Sequence, residues 1–206
     1  MIKNIIFDLG GVIVTLDPQE AIRRFLELGL QDAVKQLDSY TQTGIFGDLE
    51  RGKISDETFR QESSVLAHRE VSWDECRHAW LGYAREVPRR NLEVLRKLRQ
   101  EGHRLFLLSN TNPFMMSWVK SPDFDGEGHS IEHYMDGCYL SYELGVMKPD
   151  KQFFRHMLTS AQLEPSETLF LDDGPKNVAV AGEMGIITMC PKNGEDWTKE
   201  IYTYLK

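Results

Sequence analysis

Cysteine is scarce: Cys76, Cys138 and Cys190 are the three in 206 residues, odd in number and far apart. That spacing argues against a disulfide framework and a zinc site, and it points to a reducing, cytoplasmic setting. Long apolar runs are missing, and none reaches the length of a membrane span, so no membrane partner is expected. Positive charge is in deficit, with 24 Lys and Arg against 32 Asp and Glu, a net charge of −8. Nucleic acid needs a basic surface and is disfavoured as a partner. An anionic substrate must then be held by local groups against the overall field. The N-terminus begins like a short signal sequence, with Lys3 before apolar residues. Asp8 interrupts that run and no small-residue cleavage site follows, so a signal peptide is rejected. Internal repeats, low-complexity tracts and long charge blocks are absent as well.

What is present is ordinary globular material, 41% hydrophobic and 27% charged, long enough to bury a good core. The stretch Ile5-Ile6-Phe7-Asp8-Leu9-Gly10-Gly11-Val12 is an apolar run of strand length that carries one carboxylate and then two glycines. Such a run suits a strand buried on both faces, as in a parallel sheet. A buried carboxylate is costly unless paired, hydrogen-bonded or bound to metal.

Two textures follow. Residues 17–86 read as helical throughout. Asp17-Pro18-Gln19-Glu20 opens a helix that stops at Gly29, and a second, weak helix covers 32–41. Residues 44–53 hold three glycines and read as a connector. Ser55 caps a helix to about residue 68, and the capping box Ser72-Trp73-Asp74-Glu75 opens another to about residue 85. From Pro88 the pattern alternates: helix to Gly102, strand 103–108, helix 113–119, strand 137–140, helix 151–161, strand 168–171, helix to Met184, strand 186–190 and a C-terminal helix. This alternation predicts an α/β fold, a doubly wound parallel sheet with helices on both faces. The core is expected from residues 1–16 and 87–206, with residues 17–86 as a helical cap inserted after the first strand.

Four polar clusters then share one address, the carboxyl ends of the strands, where open α/β sheets place their sites. They are Asp8, Ser109-Asn110, Lys148 and Asp172-Asp173. Singly, each has a plain reading as turn, cap or solvated lysine; jointly and in this order they read as a site built around Asp8 as nucleophile.

These residues resemble the haloacid dehalogenase-like hydrolases, and the likeness spans the whole chain. Most members of that superfamily are phosphatases working through an aspartyl-phosphate. The small-cap members that act on α-D-glucose 1-phosphate look most similar. The likeness lies in Phe7-Asp8-Leu9-Gly10, Glu50-Arg51-Gly52-Lys53-Ile54-Ser55, Leu108-Ser109-Asn110-Thr111-Asn112 and Met147-Lys148-Pro149. The resemblance implies hydrolysis of a small phosphorylated metabolite, such as a sugar phosphate, with Mg²⁺ as cofactor. It implies Asp8, the Gly10 carbonyl and Asp173 as metal ligands, with Asp172 behind them. Lys148 would neutralise Asp8 and the phosphoryl oxygens, and Ser109 and Asn110 would donate to those oxygens. Asn177, a helical turn beyond Asp173, would tether Lys148 or the metal shell. A monomer or homodimer is expected.

One departure stands out. Phosphatases of the superfamily usually carry a second Asp two residues after the nucleophile as general acid and base, and here that position is Gly10. Leaving groups that need little protonation, such as an anomeric hydroxyl, are then favoured, unless a cap residue such as Asp48 or Glu50 supplies the proton. Two rivals remain: a 2-haloacid dehalogenase, in which the same Asp displaces halide without metal, and a non-catalytic phosphate-binding domain. Asp172-Asp173 is an odd pair for the first, and retention of Asp8, Lys148 and Asp173 argues against the second. His68, His78, His129 and His133 show no ligand spacing, and Trp73 and Trp80 read as core of the helical segment. The acidic loop 122–128 reads as a lid or as having no role.

Overall fold

The computed structural model describes residues 1–37 and 42–205. Among them, five strands form a parallel sheet: β1 Asn4–Phe7, β4 Arg104–Ser109, β5 Gly137–Leu140, β6 Thr168–Leu171 and β7 Ile187–Met189, in the order β5-β4-β1-β6-β7. A separate, small antiparallel pair is formed by β2 Thr15–Leu16 and β3 Ala84–Glu86. β1 is central, with successive strands added on either side of it. Its carboxyl end is therefore the point where the strand order reverses and the crevice of such a sheet opens.

The apolar run of β1 works on two faces because side chains alternate along a strand. Ile5 and Phe7 join Leu105, Leu107, Leu169 and Leu171 beneath helices α6 (Arg89–Gln100) and α7 (Pro113–Val119), through Leu92, Leu95, Leu98 and Met116. Ile6 joins Phe106, Leu108 and Phe170 on the opposite face, against Phe153, Phe154 and Met157 of α9 (Lys151–Ser160) and Ala181 of α10 (Pro175–Glu183). A short helix, α8 (Ser141–Leu144), follows β5. Each fully buried Ile, Leu or Phe contributes about 1.5–3 kcal/mol, so both faces of this thin sheet are strongly anchored.

Between β2 and β3 lie α1 (Pro18–Leu28), α2 (Ala33–Gln36), α3 (Gly44–Glu50), α4 (Asp56–Leu66) and α5 (Trp73–Trp80). The caps read from sequence are made: Asp17 accepts from the Glu20 N–H, Ser55 from the Thr58 N–H, and Ser72 and Glu75 close a capping box. The inward stripes of these helices form a second core of Phe25, Phe46, Leu49, Phe59, Cys76 and Trp80, to which α7 adds Phe114 and Met115. Since α7 starts just beyond β4, this shared packing fixes the helical segment near the carboxyl ends of the sheet.

The sequence reading needs correction in several places. Residues 44–53 are not a connector: Phe46 and Leu49 are buried on a true helix, α3. Its internal glycine is there for contact, because a Cβ on Gly47 would lie 2.3 Å from the Gln42 carbonyl oxygen. The second helix is short, and residues 38–41 of its expected range lie outside the described residues. Helix α5 ends at Trp80, a 3₁₀ turn follows, and the chain returns to the core as β3. The expected C-terminal helix is a single 3₁₀ turn, Glu200–Thr203. Turn chemistry at Asn193-Gly194 and the anchoring of buried Trp197, whose indole N–H donates to the Val12 carbonyl at 2.9 Å, take up the length a helix would need. No helix among the described residues is long and apolar enough to cross a membrane.

Candidate active site

The carboxyl end of β1 delivers Asp8 into a cavity that Ser109, Asn110, Lys148, Asp173 and Asn177 also line. The Asp8 amide donates to the Leu171 carbonyl at 2.8 Å, which continues the β1–β6 ladder and fixes the backbone at the nucleophile position. One carboxylate oxygen, Oδ1, accepts from the Leu9 N–H at 2.6 Å, and Oδ2 lies 2.8 Å from Lys148 Nζ. Lys148 is buried and its ammonium also meets Asp172 Oδ2 at 2.6 Å. The other oxygen of Asp172 accepts from the Gly174 N–H at 2.7 Å and from Asn177 Nδ2 at 2.9 Å. Both oxygens of Asp172 are thus engaged, and Asn177 acts on Lys148 only through Asp172.

Of the two donors that Asn110 offers, backbone and side-chain amide, the side chain is already engaged. Its side chain donates to the Lys148 carbonyl at 3.0 Å and accepts from the Lys148 N–H at 2.8 Å. That reciprocal pair clamps the backbone of Lys148, so the amide is not free for an anion and only the Asn110 backbone N–H is. The Ser109 hydroxyl makes just a long 3.4 Å contact to the Asn110 carbonyl and stays available as a donor.

The two glycines after Asp8 have separate causes. Gly11 has φ +77°, and a Cβ there would lie 2.1 Å from Asp173 Oδ2, so the backbone leaves room for that carboxylate. Gly10 lines the cavity and faces Leu16, whose side chain would meet a Cβ at 2.9 Å. The loop between them and β2 is tied down by Asn91, which donates to the Val12 and Ile13 carbonyls at 2.9 and 3.2 Å.

Carboxylate oxygens of Asp8, Asp172 and Asp173 lie within 4.8 Å of one another, and the Lys148 ammonium pairs with the first two. Burial raises the Asp8 and Asp173 carboxyls above the usual range, and the neighbouring carboxylates add to the rise while Lys148 opposes it. Burial disfavours the charged Lys148, but Asp172 and Asp8 outweigh it and hold the ammonium protonated. Three carboxylates facing one ammonium leave an excess of negative charge, and oxygen donors suit a hard divalent cation, so the residues present fit Mg²⁺.

The far wall comes from the helical segment and its hinge: Leu16, Gln42, Glu50, Trp80 and Tyr83. Of the two carboxylates considered as proton donors, Glu50 lines the cavity, whereas Asp48 is half-buried and pairs with Lys53 at 3.1 Å. Gln42, Trp80 and Tyr83 escaped the sequence reading as site residues. Nothing in their spacing marks them, because only the docking of the helices on α7 brings them to the cavity. His129 and His133 lie elsewhere. Their rings stack at 4.2 Å, and His129 Nδ1 meets Asp125 at 2.9 Å in the acidic loop. That loop is no lid, since Asp125 fastens it to Tyr134 at 2.6 Å.

Comparison with known proteins gives the family of the chain. The sequence pattern of the haloacid dehalogenase-like hydrolases matches residues 2–185. A D-ribitol-5-phosphate phosphatase of Bacteroides thetaiotaomicron is 48% identical over 205 residues, covering 100% of this chain and 99% of its own. The structure of a HAD-like family hydrolase from Porphyromonas gingivalis superposes with a TM-score of 0.95 at 41% identity, covering 100% of this chain and 98% of that one. A HAD family enzyme of Bacteroides thetaiotaomicron, solved with magnesium and inorganic phosphate, has a TM-score of 0.87 at 35% identity, covering 97% of this chain and 99% of its own.

Proposed function

The chain belongs to the haloacid dehalogenase-like hydrolases, and from that premise we propose that it is a Mg²⁺-dependent phosphatase of a small polyhydroxylated phosphate monoester. The observation that carries the reading is the Asp8–Lys148 pair, 2.8 Å apart at the switch point of the sheet, with Asp173 beside it. A phosphate monoester repels an anionic nucleophile, so attack by a carboxylate needs positive charge close by. Lys148 supplies one such charge, and Asp172, Asn177 and Asn110 hold it in place. Asp8, Asp173 and the Gly10 carbonyl would hold Mg²⁺. When bound, it offsets the charge on the phosphoryl oxygens and orients them.

In the first step a bond forms between the Asp8 carboxylate and phosphorus, and the ester P–O bond breaks. In the second, water attacks phosphorus and the Asp8–phosphorus bond breaks, which returns the carboxylate. Ser109 and the Asn110 backbone N–H would donate to the phosphoryl oxygens throughout. Residues 17–86 would serve as a cap that closes this chemistry off from water.

The leaving oxygen needs a proton that Gly10 cannot give. Glu50 is the carboxyl group that the cap brings to the same cavity, and we assign it to protonate the leaving alcohol and then to accept the proton of the attacking water. The 48%-identical relative is named for an alditol phosphate, whose alkoxide leaves poorly without such a proton. An open-chain alditol or aldose phosphate is therefore the first choice. A sugar 1-phosphate such as glucose 1-phosphate is the second reading, favoured by the bare Gly10 position.

The test is a panel of phosphate esters with and without Mg²⁺, repeated on Asp8→Asn. Metal-dependent phosphate release that vanishes in the variant supports the proposal. Halide release from 2-haloacids without metal would favour the dehalogenase, and no turnover of any ester would favour a binding domain.

A further inference from the structure

Thr111 lies between the end of β4 and the start of α7, two residues past Ser109, and lines the same cavity. Both of its backbone groups are held by one buried hydroxyl at the start of α8. The Thr111 N–H donates to Ser141 Oγ at 3.0 Å, and Ser141 Oγ donates to the Thr111 carbonyl at 3.2 Å. The residues on either side are fixed as well. Asn110 clamps the backbone of Lys148, and the Asn112 side-chain oxygen accepts from the Met115 N–H at 3.1 Å. The side chain of Thr111 is the exception in this braced segment. The residue is 3% exposed, yet among the described residues its hydroxyl makes no hydrogen bond. That oxygen is not sealed in the protein, as the unpartnered Asn112 Nδ2 next along the chain is, and the space it opens on is the cavity. A hydroxyl on so rigid a backbone is a preorganised contact, with little ordering left to be lost when a ligand meets it.

We infer that Thr111 is a specificity-determining residue whose hydroxyl binds a hydroxyl of the substrate, on one of the first two carbons beyond the phosphorylated one. The inference rests on the phosphatase reading and names the substrate class more closely. The position follows from reach. Ser109 would hold a phosphoryl oxygen, and two residues of chain span at most about 7 Å. A contact from Thr111 therefore passes the phosphoryl group but extends no farther than the carbons next to the ester. The chemistry follows from charge. Among the described residues that line the cavity Lys148 is the one cation, and it is committed to Asp8 and Asp172. A second phosphate or a carboxylate at Thr111 would meet no countercharge there, and an unpaired charge out of water is costly. A neutral hydroxyl brings no such cost, and a Thr hydroxyl can donate to it or accept from it. Alditol and sugar monophosphates offer that group without a second charge.

Steady-state kinetics with Mg²⁺ test this on wild type, Thr111→Val and Thr111→Ser. Val keeps the shape of the buried side chain and removes the hydroxyl, whereas Ser keeps the hydroxyl. The readout is the ratio of kcat/KM on D-ribitol 5-phosphate to kcat/KM on p-nitrophenyl phosphate, which carries no hydroxyl. That ratio is expected to fall about 10-fold in Thr111→Val and to stay within about twofold of wild type in Thr111→Ser. Equal losses on both esters would mean that Thr111 serves the phosphoryl group or only packs, and no loss would leave its hydroxyl unused; either overturns the inference. The 3-deoxy and 4-deoxy ribitol 5-phosphates close a cycle with the variant. One of them must lose about 10-fold on wild type and lose nothing further in Thr111→Val, because the same contact is removed from either side. Losses that add for both analogues overturn the inference. Turnover of p-nitrophenyl phosphate by wild type reads the phosphatase assignment separately. Should wild type hydrolyse no ester, calorimetric binding of ribitol 5-phosphate and its two deoxy analogues to wild type and Thr111→Val decides. Binding that is absent, or that Thr111→Val leaves unchanged, then overturns the inference.

Discussion

At the residue scale the site is a problem of charge, and Lys148 is its solution. The ammonium is held by two carboxylates at 2.8 and 2.6 Å and is buried beneath them. Removing one member of such a buried set leaves the others uncompensated. Lys148→Met is expected to lower kcat by about 10²–10³-fold, the size of losing a preorganised electrostatic contact at a transition state. Phosphate-release assays on purified, folded variant check this. Gly11 gives a sharper test, because its neighbour is a single side chain: a Cβ there falls 2.1 Å from Asp173 Oδ2 at φ +77°. Gly11→Ala must displace that carboxylate, and Mg²⁺ affinity is expected to drop about 10–100-fold, as for other disturbed metal ligation. Titration of activity against Mg²⁺ reads it, and an unchanged midpoint would detach Asp173 from the metal. Glu50 makes a chemical prediction. Glu50→Gln should slow formation of the phospho-Asp8 intermediate from ribitol 5-phosphate by about 10²–10⁴-fold while its formation from acetyl phosphate, whose leaving group needs no proton, keeps most of its rate, read by rapid-quench single turnover apart from the hydrolysis that follows. Equal slowing of that first step with both substrates would make Glu50 a structural wall.

At the element scale, the strands and their order of polar ends were legible, because period-two burial and strand-end carboxylates are local signals. Asp8, Lys148, Asp172 and Asp173 meet, as their shared rim predicts, and Asn177 reaches them through Asp172. Helix α3 was not legible. The glycines in and just after it look like loop chemistry, yet Gly47 within the helix and Gly52 beyond its end are places where backbone touches backbone, at Gln42 and Tyr142. Nor was the cavity's far wall, since Gln42, Trp80 and Tyr83 arrive through packing of α5 on α7 rather than through any pattern of their own. The hinge was invisible for a similar reason. Asn193, almost at the other end of the chain, accepts from the Leu16 N–H at 2.8 Å and donates to the Leu16 carbonyl at 3.0 Å, like an extra strand beside β2. Leu16 in turn covers Gly10. Asn193→Ala removes both bonds, each typically contributing about 0.5–1.5 kcal/mol. A lower midpoint in urea is expected, with faster hydrogen exchange at residues 15–16 and 84–86 than elsewhere. Uniform exchange across the molecule would show that Asn193 does not hold the hinge.

At the scale of the whole molecule, a net charge of −8 leaves the protein dependent on local devices to hold anions, and the same acidic surplus is used structurally away from the site. Asp125 is the clearest case. Burial works against its charge, but the Tyr134 hydroxyl, the N–H groups of Glu127 and His129 and the His129 ring outweigh burial and hold its carboxyl well below the usual range. A carboxyl depressed in the folded state stabilises fully above its unfolded pKa, about 3.9, and loses that stabilisation as pH falls below it toward the folded value. Acid unfolding should therefore steepen below about pH 4, and Asp125→Asn should be less stable at neutral pH with a flatter acid limb. Thermal melts across pH check both. The account as a whole stands on one covalent bond, between Asp8 and phosphorus. Rapid acid quench during turnover of ribitol 5-phosphate, reduction with borohydride and peptide mass spectrometry test it directly, because an acyl phosphate is reduced to the alcohol and an unmodified carboxylate is not. The expected result is homoserine at position 8, formed only with substrate and Mg²⁺ present. Phosphate release with position 8 unmodified, or with the reduced residue elsewhere, would contradict it.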